Sequence, residues 1–190
     1  MDICVYGASS TQIDDDYILK TEELGRRLAA EGHSLVYGAG GAGLMGAVAR
    51  GFKAGGGYIV GVVPSFLKVD GILYEGCDEM VYTDTMRERK QIMEDRSQAF
   101  IVTPGGIGTY EEFFEMYTLK QLGRHNKPIV LFNINGYYDP IVDLLTQTVD
   151  QKFMREESLR LLTVATTADE VLEQLKTNDS VVDIRDTKFV

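Results

Sequence analysis

The architecture of this chain can be inferred most directly from one stretch, Val102-Thr103-Pro104-Gly105-Gly106-Ile107-Gly108-Thr109-Tyr110-Glu111-Glu112. The apolar residues that lead into it, 99–102, are typical of a short buried strand. A proline and three glycines then interrupt the pattern, and residues 110–122 show the spacing of apolar side chains expected of a helix. The stretch therefore predicts a strand, a glycine-rich loop and a helix that begins at about Thr109.

The glycine-rich loop is suited to binding an anion. Gly105, Gly106 and Gly108 allow the backbone to approach a ligand closely and let successive N–H groups point into one concavity. The helix that follows adds unpaired N–H donors and the positive end of its dipole, which together favour a phosphate group. We therefore predict a phosphate-binding loop to which Thr109 also contributes.

Two adjacent glutamates follow the loop, and helical geometry separates them. With a turn of about 100° per residue, Glu112 lies on the apolar stripe with Phe113, whereas Glu111 lies on the polar side. Glu112 is thus expected to point inward. A structural alternative stays open, because Thr109-x-x-Glu112 also has the spacing of a capping box, in which Glu112 bonds back to the Thr109 backbone.

The overall composition excludes several classes of protein. With 44% hydrophobic and 25% charged residues, the chain has the composition of an ordinary globular protein and not of a disordered or collagen-like one. A formal net charge of −10 at pH 7 argues against a nucleic-acid-binding surface or a polybasic membrane patch. A small substrate held in a local positive pocket is compatible with this charge.

The sequence offers no pattern for a metal site, a disulfide framework or export. The two cysteines, Cys4 and Cys77, and the two histidines, His33 and His125, lack the spacing of metal ligands or paired cysteines. No apolar run approaches the roughly 18 residues of a membrane span, and no basic segment followed by an apolar one marks the N-terminus. We therefore expect a cytoplasmic protein without a structural metal.

Strand and helix patterns alternate along most of the chain. Strands are predicted at residues 3–6, 34–37, 58–63, 80–82, 99–102, 128–132 and 162–165. This order predicts an α/β fold of the Rossmann-like, doubly wound type, with a mainly parallel sheet and helices on both faces. Residues 1–176 are expected to form a single domain and residues 177–190 a peripheral polar tail. Ligands bind such sheets at the carboxyl ends of the strands.

A second glycine loop has the sequence Gly38-Ala39-Gly40-Gly41-Ala42-Gly43. It satisfies the G-x-G-x-x-G pattern between a strand and a helix, so a dinucleotide site has to be considered. We do not favour NAD, because the next strand ends in Val62-Val63-Pro64-Ser65 and offers no acidic residue for the ribose. We interpret these glycines as allowing a strand and a helix to pack tightly beside a nucleotide, with Gly40 as a candidate contact.

Two other connections were considered as parts of the site. The loop after the first strand, Gly7-Ala8-Ser9-Ser10-Thr11, could present the hydroxyls of Ser9 and Ser10 to a ligand. A polar loop that leads to a helix start explains these residues equally well. The long connection 64–79 shows no constellation of polar residues, although loops of that length are often functional.

An arginine lies on the apolar side of the helix that contains residues 86–93. Arg89 falls in the arc bounded by Met86, Ile92 and Met93, and Lys90 lies at its border. An unpaired guanidinium is costly to bury, so Arg89 is expected to meet a carboxylate, a phosphate or a ligand. Two roles stay open for it, a catalytic or ligand-binding role and a purely structural ion pair.

Two motifs carry a resemblance to a known family. Residues 104–112 have the complete pattern P-G-G-x-G-T-x-x-E, and residues 86–93 have M-H-x-R-K-x-x-M with Arg87 in place of the histidine. The segment 37–46 also fits, although Ala39 stands where glycine is usual. On these residues, and over roughly residues 1–176, the chain resembles the LOG ("lonely guy") family of cytokinin riboside 5′-monophosphate phosphoribohydrolases, often labelled lysine decarboxylases.

The resemblance implies hydrolysis of the N-glycosidic bond of an N6-modified adenosine 5′-monophosphate, with release of the free base and ribose 5-phosphate. Glu112 would stabilise the oxocarbenium-like ribose or orient water, and Arg89 would contact the substrate or keep Glu112 ionised by lowering its pKa. The residues assigned to substrate binding are Ser9, Ser10, Gly40, Met86, Lys90, Gly105, Gly106, Gly108, Thr109 and Glu111. The resemblance further implies that no cofactor is needed and that the chain forms a homodimer. Arg87 leaves the preference among bases open.

Two other functions compete with this hypothesis. A nucleotide-binding module that does not turn its ligand over would use the same glycine loop. A pyridoxal-phosphate decarboxylase is the second alternative. We do not favour it, because Lys90 stands beside Arg89 in a helix with no recognisable cofactor pattern.

Overall fold

The computed structural model describes residues 1–69 and 71–177 and contains a seven-stranded sheet. Every pair of neighbouring strands in this sheet is parallel. The strands are β1 (Asp2–Tyr6), β2 (Ser34–Tyr37), β3 (Ile59–Pro64), β4 (Glu79–Thr83), β5 (Ala99–Val102), β6 (Ile129–Phe132) and β7 (Thr163–Ala165). Their order is β4-β3-β2-β1-β5-β6-β7, which confirms the predicted Rossmann-like α/β fold.

Helices cover both faces of the sheet. Within the described residues they are α1 (Asp15–Ala30), α2 (Gly43–Ala54), α3 (Met86–Arg96), α4 (Ile107–Gln121), α5 (Asp139–Asp150) and α6 (Ala168–Lys176). α1, α2 and α6 contribute to the apolar cluster on one face, which includes Leu24 and Phe52. α3, α4 and α5 contribute to the cluster on the other face, which includes Met93 and Phe113. This arrangement is the predicted doubly wound one.

The strands form where consecutive side chains are apolar and can be buried on both sides. In β1, Ile3 and Val5 belong to the core under α1 and α2, whereas Cys4 and Tyr6 belong to the core under α3 and α4. This alternation follows from the two-residue period of a strand. A central strand of a parallel sheet therefore needs a continuous apolar run, which is the signal that located these strands in the sequence.

Hydroxyl side chains cap two of the helices. Thr85 accepts a hydrogen bond from the N–H of Glu88 at the start of α3. Thr167 accepts one from the N–H of Glu170 at the start of α6. Each bond satisfies an N–H group that has no partner inside its helix.

The strand order reverses between β1 and β5, which lie side by side in the middle of the sheet. The loop after β1 and the turn after β5 are joined by a hydrogen bond of 3.0 Å from Ala8 N to Pro104 O. In doubly wound sheets, ligands bind in the crevice outside the carboxyl ends of the strands at such a point. Both glycine-rich loops lie at this edge of the sheet.

Two sequence expectations concern the extent of the chain. The tail predicted at 177–190 lies outside the described residues, apart from Thr177. The assignment of 1–176 to a single domain stays a prediction. Within the described residues, no helix combines the length and the apolar content needed to cross a membrane.

Candidate active site

The first turn of α4 presents unpaired donors to open space. Gly106 is the N-cap of α4, and among the described residues no side chain caps this helix. The N–H groups of Ile107, Gly108 and Thr109 precede the first intrahelical bond, which runs from Tyr110 N to Gly106 O over 3.0 Å. Apart from the adjacent residues and the backbone of the helix itself, no described atom lies within 4 Å of the position that a Cβ at Gly106 or Gly108 would occupy. These donors and the helix dipole provide what an anion needs.

The helix begins two residues earlier than the sequence predicts. Thr109 is therefore the third residue of α4 and not its cap. An extended glycine, Gly106, already occupies the N-cap position, and the carboxylate of Glu112 bonds to Arg89. The capping-box alternative for Glu112 is wrong for this reason.

Glu112 and Arg89 form an ion pair in the interior. Nη1 of Arg89 lies 2.8 Å from Oε1 of Glu112, and their side chains are 10% and 12% exposed, respectively. Nε of Arg89 donates to the carbonyl of Val62 over 3.2 Å. Nη2 of Arg89 lies against Gly38, where an added Cβ would overlap it. The structure confirms the inward orientation that the helical patterns predict for both charged residues.

Burial and the arginine act in opposite directions on Glu112. Removal from water raises the pKa of the Glu112 carboxyl, whereas the positive charge and the hydrogen bond of Arg89 lower it. Burial is the larger effect, so this pKa lies above its ordinary value of 4.5. Arg89 does lower the pKa of Glu112, as expected, but one guanidinium does not compensate for the loss of water. A carboxylate with a raised pKa is a stronger base than an exposed one.

The ion pair lines a pocket of about 500 Å³ at the carboxyl ends of the strands. Six of the residues predicted to bind substrate line it as well, namely Ser9, Gly40, Met86, Gly106, Gly108 and Thr109. They come from the loops after β1 and β2 and from the starts of α3 and α4. The pocket thus combines the uncapped start of α4 at one side with a buried carboxylate and a guanidinium at its base.

Lys90 and Glu111 lie away from this pocket. Lys90 pairs with Glu111 and, over 2.9 Å, with Glu115, and the Glu111 side chain is 54% exposed. Lys90 lines a separate groove with Arg87, because it is turned by about 100° from Arg89 on the same helix. Burial opposes the charged form of Lys90, but hydrogen bonds to both glutamates outweigh it and raise the pKa of the amino group. Lys90 and Glu111 therefore do not line this pocket, and their assignment to substrate binding stays a prediction.

Gly105 and Ser10 line a smaller cavity of about 210 Å³ next to the pocket. Tyr17 and Tyr137 form part of its wall, and Gly106 lines both cavities. Gly105 does not face the pocket of Arg89, because its carbonyl is turned toward Tyr137, whose hydroxyl donates to it over 2.7 Å. Gly105 and Ser10 are thus neighbours of the predicted phosphate position and not part of the pocket lining.

The second glycine loop uses its backbone groups within the protein. Gly41 N donates to Ile72 O over 2.8 Å, and Leu44 N donates to Ala8 O over 2.8 Å. The start of α2 is thus occupied by the carbonyl of Ala8, in contrast to the start of α4. A Cβ at Gly43, whose φ is +58°, would stand 2.6 Å from Ala8 O. These contacts favour the interpretation that the loop permits tight packing beside the site. Two of its glycines, Gly38 and Gly40, line the pocket.

The connection between β3 and β4 supplies part of the pocket wall, which the sequence did not reveal. Leu67, Ile72 and Leu73 line the pocket. The connection is fastened to the second glycine loop through the bond from Gly41 N and an antiparallel bridge between Gly40 and Leu73. The available signal was the presence of apolar residues in a long surface connection, whereas the prediction for this segment rested on its polar residues alone.

A family model and several relatives match the chain. The family described as "Possible lysine decarboxylase" matches residues 45–175. Cytokinin riboside 5′-monophosphate phosphoribohydrolase LOG of Oryza sativa subsp. japonica is 38% identical over 174 residues, which is 92% of this chain and 72% of the relative. The cytokinin riboside 5′-monophosphate phosphoribohydrolase of Mycobacterium tuberculosis is 42% identical over 150 residues, which is 79% of this chain and 80% of the relative.

Solved structures with lower identity share the fold. The molybdenum cofactor binding protein of Rippkaea orientalis is 23% identical, with a TM-score of 0.71 over 93% of this chain and 95% of that one. The molybdenum cofactor carrier protein of Chlamydomonas reinhardtii is 22% identical, with a TM-score of 0.70 over 93% and 96% of the two chains. Sequence identity at this level shows a shared fold alone. The sequence relatives and the family model, by contrast, span most of the chain at higher identity, and the chain therefore belongs to the LOG family, that of the cytokinin riboside 5′-monophosphate phosphoribohydrolases.

Proposed function

We propose that this chain hydrolyses the N-glycosidic bond of an N6-modified adenosine 5′-monophosphate and releases the free base and ribose 5-phosphate. The observation that carries the proposal is the buried pair of Arg89 and Glu112, placed one helical turn beyond the uncapped start of α4. A nucleoside monophosphate has the matching chemistry, because its phosphate and its glycosidic carbon are separated by one ribose. The names of the relatives, at 38% and 42% identity, support the same reaction.

The start of α4 would hold the 5′-phosphate. The free N–H groups at Ile107, Gly108 and Thr109 and the positive end of the helix dipole favour a doubly charged anion. The open space at Gly106 and Gly108 leaves room for its oxygens. The protein as a whole carries a net charge of −10, so this local site has to supply the attraction.

Glu112 and Arg89 would act on the ribose. As the bond between C1′ and the base nitrogen breaks, positive charge develops on the ribose, and a carboxylate beside it stabilises this charge. Water then adds to C1′, and Glu112 with its raised pKa is suited to accept a proton from that water. The base leaves with the bonding electron pair and takes up a proton. Arg89 holds the carboxylate in place through the bond of 2.8 Å.

Product analysis with purified variants tests this assignment. We expect Glu112→Gln and Arg89→Ala to lose most of the release of base from N6-isopentenyladenosine 5′-monophosphate. Glu115→Gln on the same helix as Glu112 is the matched control, since Glu115 lines the outer groove with Lys90. Arg96→Ala is the control for Arg89, since Arg96 pairs with Glu79 at 2.6 Å on the same helix α3. Wild-type rates in both Glu112→Gln and Arg89→Ala would overturn the assignment.

A substrate panel tests the role of the phosphate. AMP, N6-isopentenyladenosine 5′-monophosphate and the two corresponding nucleosides differ only in the phosphate and the N6 substituent. We expect hydrolysis of the monophosphates and little or none of the nucleosides, because the donors of α4 would have nothing to bind in a nucleoside. Equal rates on nucleotides and nucleosides would remove the start of α4 from the proposed site.

The competing binding module makes a different prediction. It would bind a nucleotide tightly and release no base, whereas the proposed hydrolase does both. Calorimetry beside the product assay separates the two, because a low dissociation constant without any product would favour the module.

The surroundings of Lys90 disfavour a decarboxylase that forms a Schiff base on this residue. Such a lysine has to react as the neutral amine. The pairs with Glu111 and Glu115 instead raise the pKa of Lys90 and hold it protonated. Addition of pyridoxal phosphate should therefore produce no Schiff-base absorption band.

We further propose that the enzyme acts as a homodimer in the cytoplasm, as the family resemblance implies. Light scattering over a range of protein concentrations tests the assembly. A mass of one chain of 21.1 kDa at every concentration would contradict the dimer.

A further inference from the structure

Three hydrogen bonds from other segments of the chain fix the turn between β5 and α4. Three successive carbonyl groups each accept one bond from another segment, and the bonds are Tyr138 Oη to Thr103 O (2.7 Å), Ala8 N to Pro104 O (3.0 Å) and Tyr137 Oη to Gly105 O (2.7 Å). Two of the three donors are side chains of adjacent tyrosines in the connection after β6. That connection is far from this turn in the sequence but beside it in the fold.

The hydroxyl of Tyr137 donates its hydrogen bond to the turn between β5 and α4. A phenol has one proton to donate, and Tyr137 donates it to the carbonyl of Gly105. The contact of 3.0 Å between the hydroxyls of Tyr137 and Tyr110 therefore has Tyr110 as its donor. Tyr110 belongs to α4 itself. The hydroxyl of Tyr137, which the connection after β6 supplies, is therefore oriented by a residue of α4. Burial raises the pKa of Tyr137 to about 12, and the group stays protonated at neutral pH.

The connection that carries the two tyrosines is itself braced. Asn133 Oδ1 accepts from the backbone N–H of Tyr138 over 2.6 Å, and Asn133 Nδ2 donates to Asp139 over 2.7 Å. Asn135, with φ at +54°, donates from Nδ2 to Asp16 of α1 over 2.8 Å. The tyrosine hydroxyls therefore project from a segment with little freedom to shift.

The direction of the Gly105 carbonyl decides the direction of the next N–H group. A trans peptide is planar, so its C=O and N–H point in opposite directions. With the carbonyl of Gly105 turned toward Tyr137, the N–H of Gly106 points away from Tyr137. Gly106 is the N-cap of α4, where phosphate-binding donors are expected.

We propose that Tyr137 and Tyr138 are positioning residues for the phosphate-binding turn, with Tyr110 orienting the hydroxyl of Tyr137. The inference rests on the proposed function, since it assumes that the turn holds the phosphate of the substrate. Tyr137 acts through the carbonyl of Gly105, which sets the direction of the Gly106 N–H. Tyr138 fixes the carbonyl of Thr103 and so holds the first peptide of the turn, although the next residue, Pro104, has no N–H to orient. Glycine at positions 105, 106 and 108 leaves the turn free to take other conformations, and the two hydroxyls restrict it to one.

A purely structural role for these tyrosines predicts a different result. Tyr117 offers the matched comparison, because its hydroxyl also donates to a backbone carbonyl, that of Ser158, over 2.9 Å. Tyr117 is buried on α4 but lines neither the pocket nor the cavity beside it. Tyr117→Phe should lower the melting temperature like Tyr137→Phe and Tyr138→Phe, without a selective effect on phosphate-bearing ligands.

The experiment compares Tyr137→Phe, Tyr138→Phe, Tyr110→Phe and Tyr117→Phe with the wild type. KM and kcat are measured for N6-isopentenyladenosine 5′-monophosphate, and the dissociation constants of ribose 5-phosphate and of the nucleoside are measured by calorimetry. In Tyr137→Phe and Tyr138→Phe, we expect a roughly three- to ten-fold higher KM and dissociation constant of ribose 5-phosphate, which is the usual effect of one lost hydrogen bond. kcat and the dissociation constant of the nucleoside should change by less than about two-fold. Tyr110→Phe should have the same effect at a smaller size, and Tyr117→Phe should have none.

The outcomes separate this inference from the proposed function. Unchanged binding of ribose 5-phosphate in both Tyr137→Phe and Tyr138→Phe would overturn the inference, and so would an equal loss on nucleotide and nucleoside. If the wild type released no base but the two variants still weakened binding of ribose 5-phosphate, the inference would stand and the proposed function would fail. If the wild type neither released base nor bound ribose 5-phosphate, both would fall.

Discussion

Replacing Gly108 with alanine should make the protein more stable and at the same time impair substrate binding. Gly108 is the second residue of α4, and its φ is not in the left-handed region. Apart from the adjacent residues and the helix backbone, no described atom lies within 4 Å of the position of an added Cβ. The fold therefore accepts the methyl group without a clash. That methyl group, however, would stand in the space that lines the pocket beside the free N–H groups.

The two effects can be estimated separately. Alanine in place of glycine within a helix stabilises by about 0.5–1 kcal/mol, because the unfolded chain loses conformational freedom. For a chain of this size, that corresponds to an increase in melting temperature of about 1–4 °C. A hydrogen bond to a charged group contributes about 1.5–3 kcal/mol, so displacement of the phosphate from one donor should raise KM roughly ten- to hundred-fold.

Thermal unfolding and steady-state release of base measure the two quantities on the same preparation. Thr118→Ala is the matched control, because Thr118 is exposed on α4 and lines none of the described cavities. It should raise the melting temperature slightly through helix propensity and leave KM unchanged. An unchanged KM in Gly108→Ala would refute the placement of the phosphate, and a lower melting temperature would refute the assignment of Gly108 to an unstrained helical position.

Three further predictions follow from single side chains. Gly38→Ala should reduce kcat by at least ten-fold with little change in stability. The reason is that the new methyl group overlaps the flexible end of Arg89 and moves its guanidinium. Steady-state release of base and thermal unfolding measure the two effects. The free energy of unfolding should fall as the pH drops from about 6.5 through about 4. Burial lowers the pKa of His125 to about 4, so the unfolded chain binds more protons than the folded one across this range. Denaturant unfolding at several pH values should show a smaller pH-dependent loss of stability in His125→Gln than in the wild type. Nε2 of His125 donates to a backbone carbonyl over 2.9 Å and Nδ1 accepts from a backbone N–H over 3.2 Å, so protonation at Nδ1 also breaks a hydrogen bond. Lys120→Met should raise the melting temperature at pH 7, because burial lowers the pKa of Lys120 to about 8 and the protonated amine is buried at a cost; a lower melting temperature would contradict this.

Much of the fold was predictable because its signals are local. The apolar runs of the central strands and the caps at Thr85 and Thr167 depend on residues within one turn or one strand. The helical patterns of α3 and α4 likewise placed Arg89 and Glu112 on inner faces. The same patterns placed Glu111 on the outside, where its side chain is 54% exposed.

The start of α4 shows where local signals were insufficient. The spacing of Thr109 and Glu112 fits a capping box, and the sequence contains nothing that excludes it. Gly106 takes the cap position in the folded chain, and Glu112 finds a partner on α3 instead. Where a side chain has two alternative partners, the packing of distant elements determines which of them lies within hydrogen-bond distance.

By itself, the sequence established the α/β class, the positions of the central strands and the two inward charges, and it predicted a phosphate-binding loop. Each of these depends on residue type and short-range spacing. Only the tertiary structure decided that Arg89 and Glu112 meet at 2.8 Å, that burial raises the pKa of Glu112, and that Lys90 points away from the pocket. It also decided that the donors of the second glycine loop are used internally and that two tyrosines from the connection after β6 hold the turn before α4. These properties depend on which distant segments become neighbours and how much water they exclude, and neither quantity is encoded in the spacing of nearby residues.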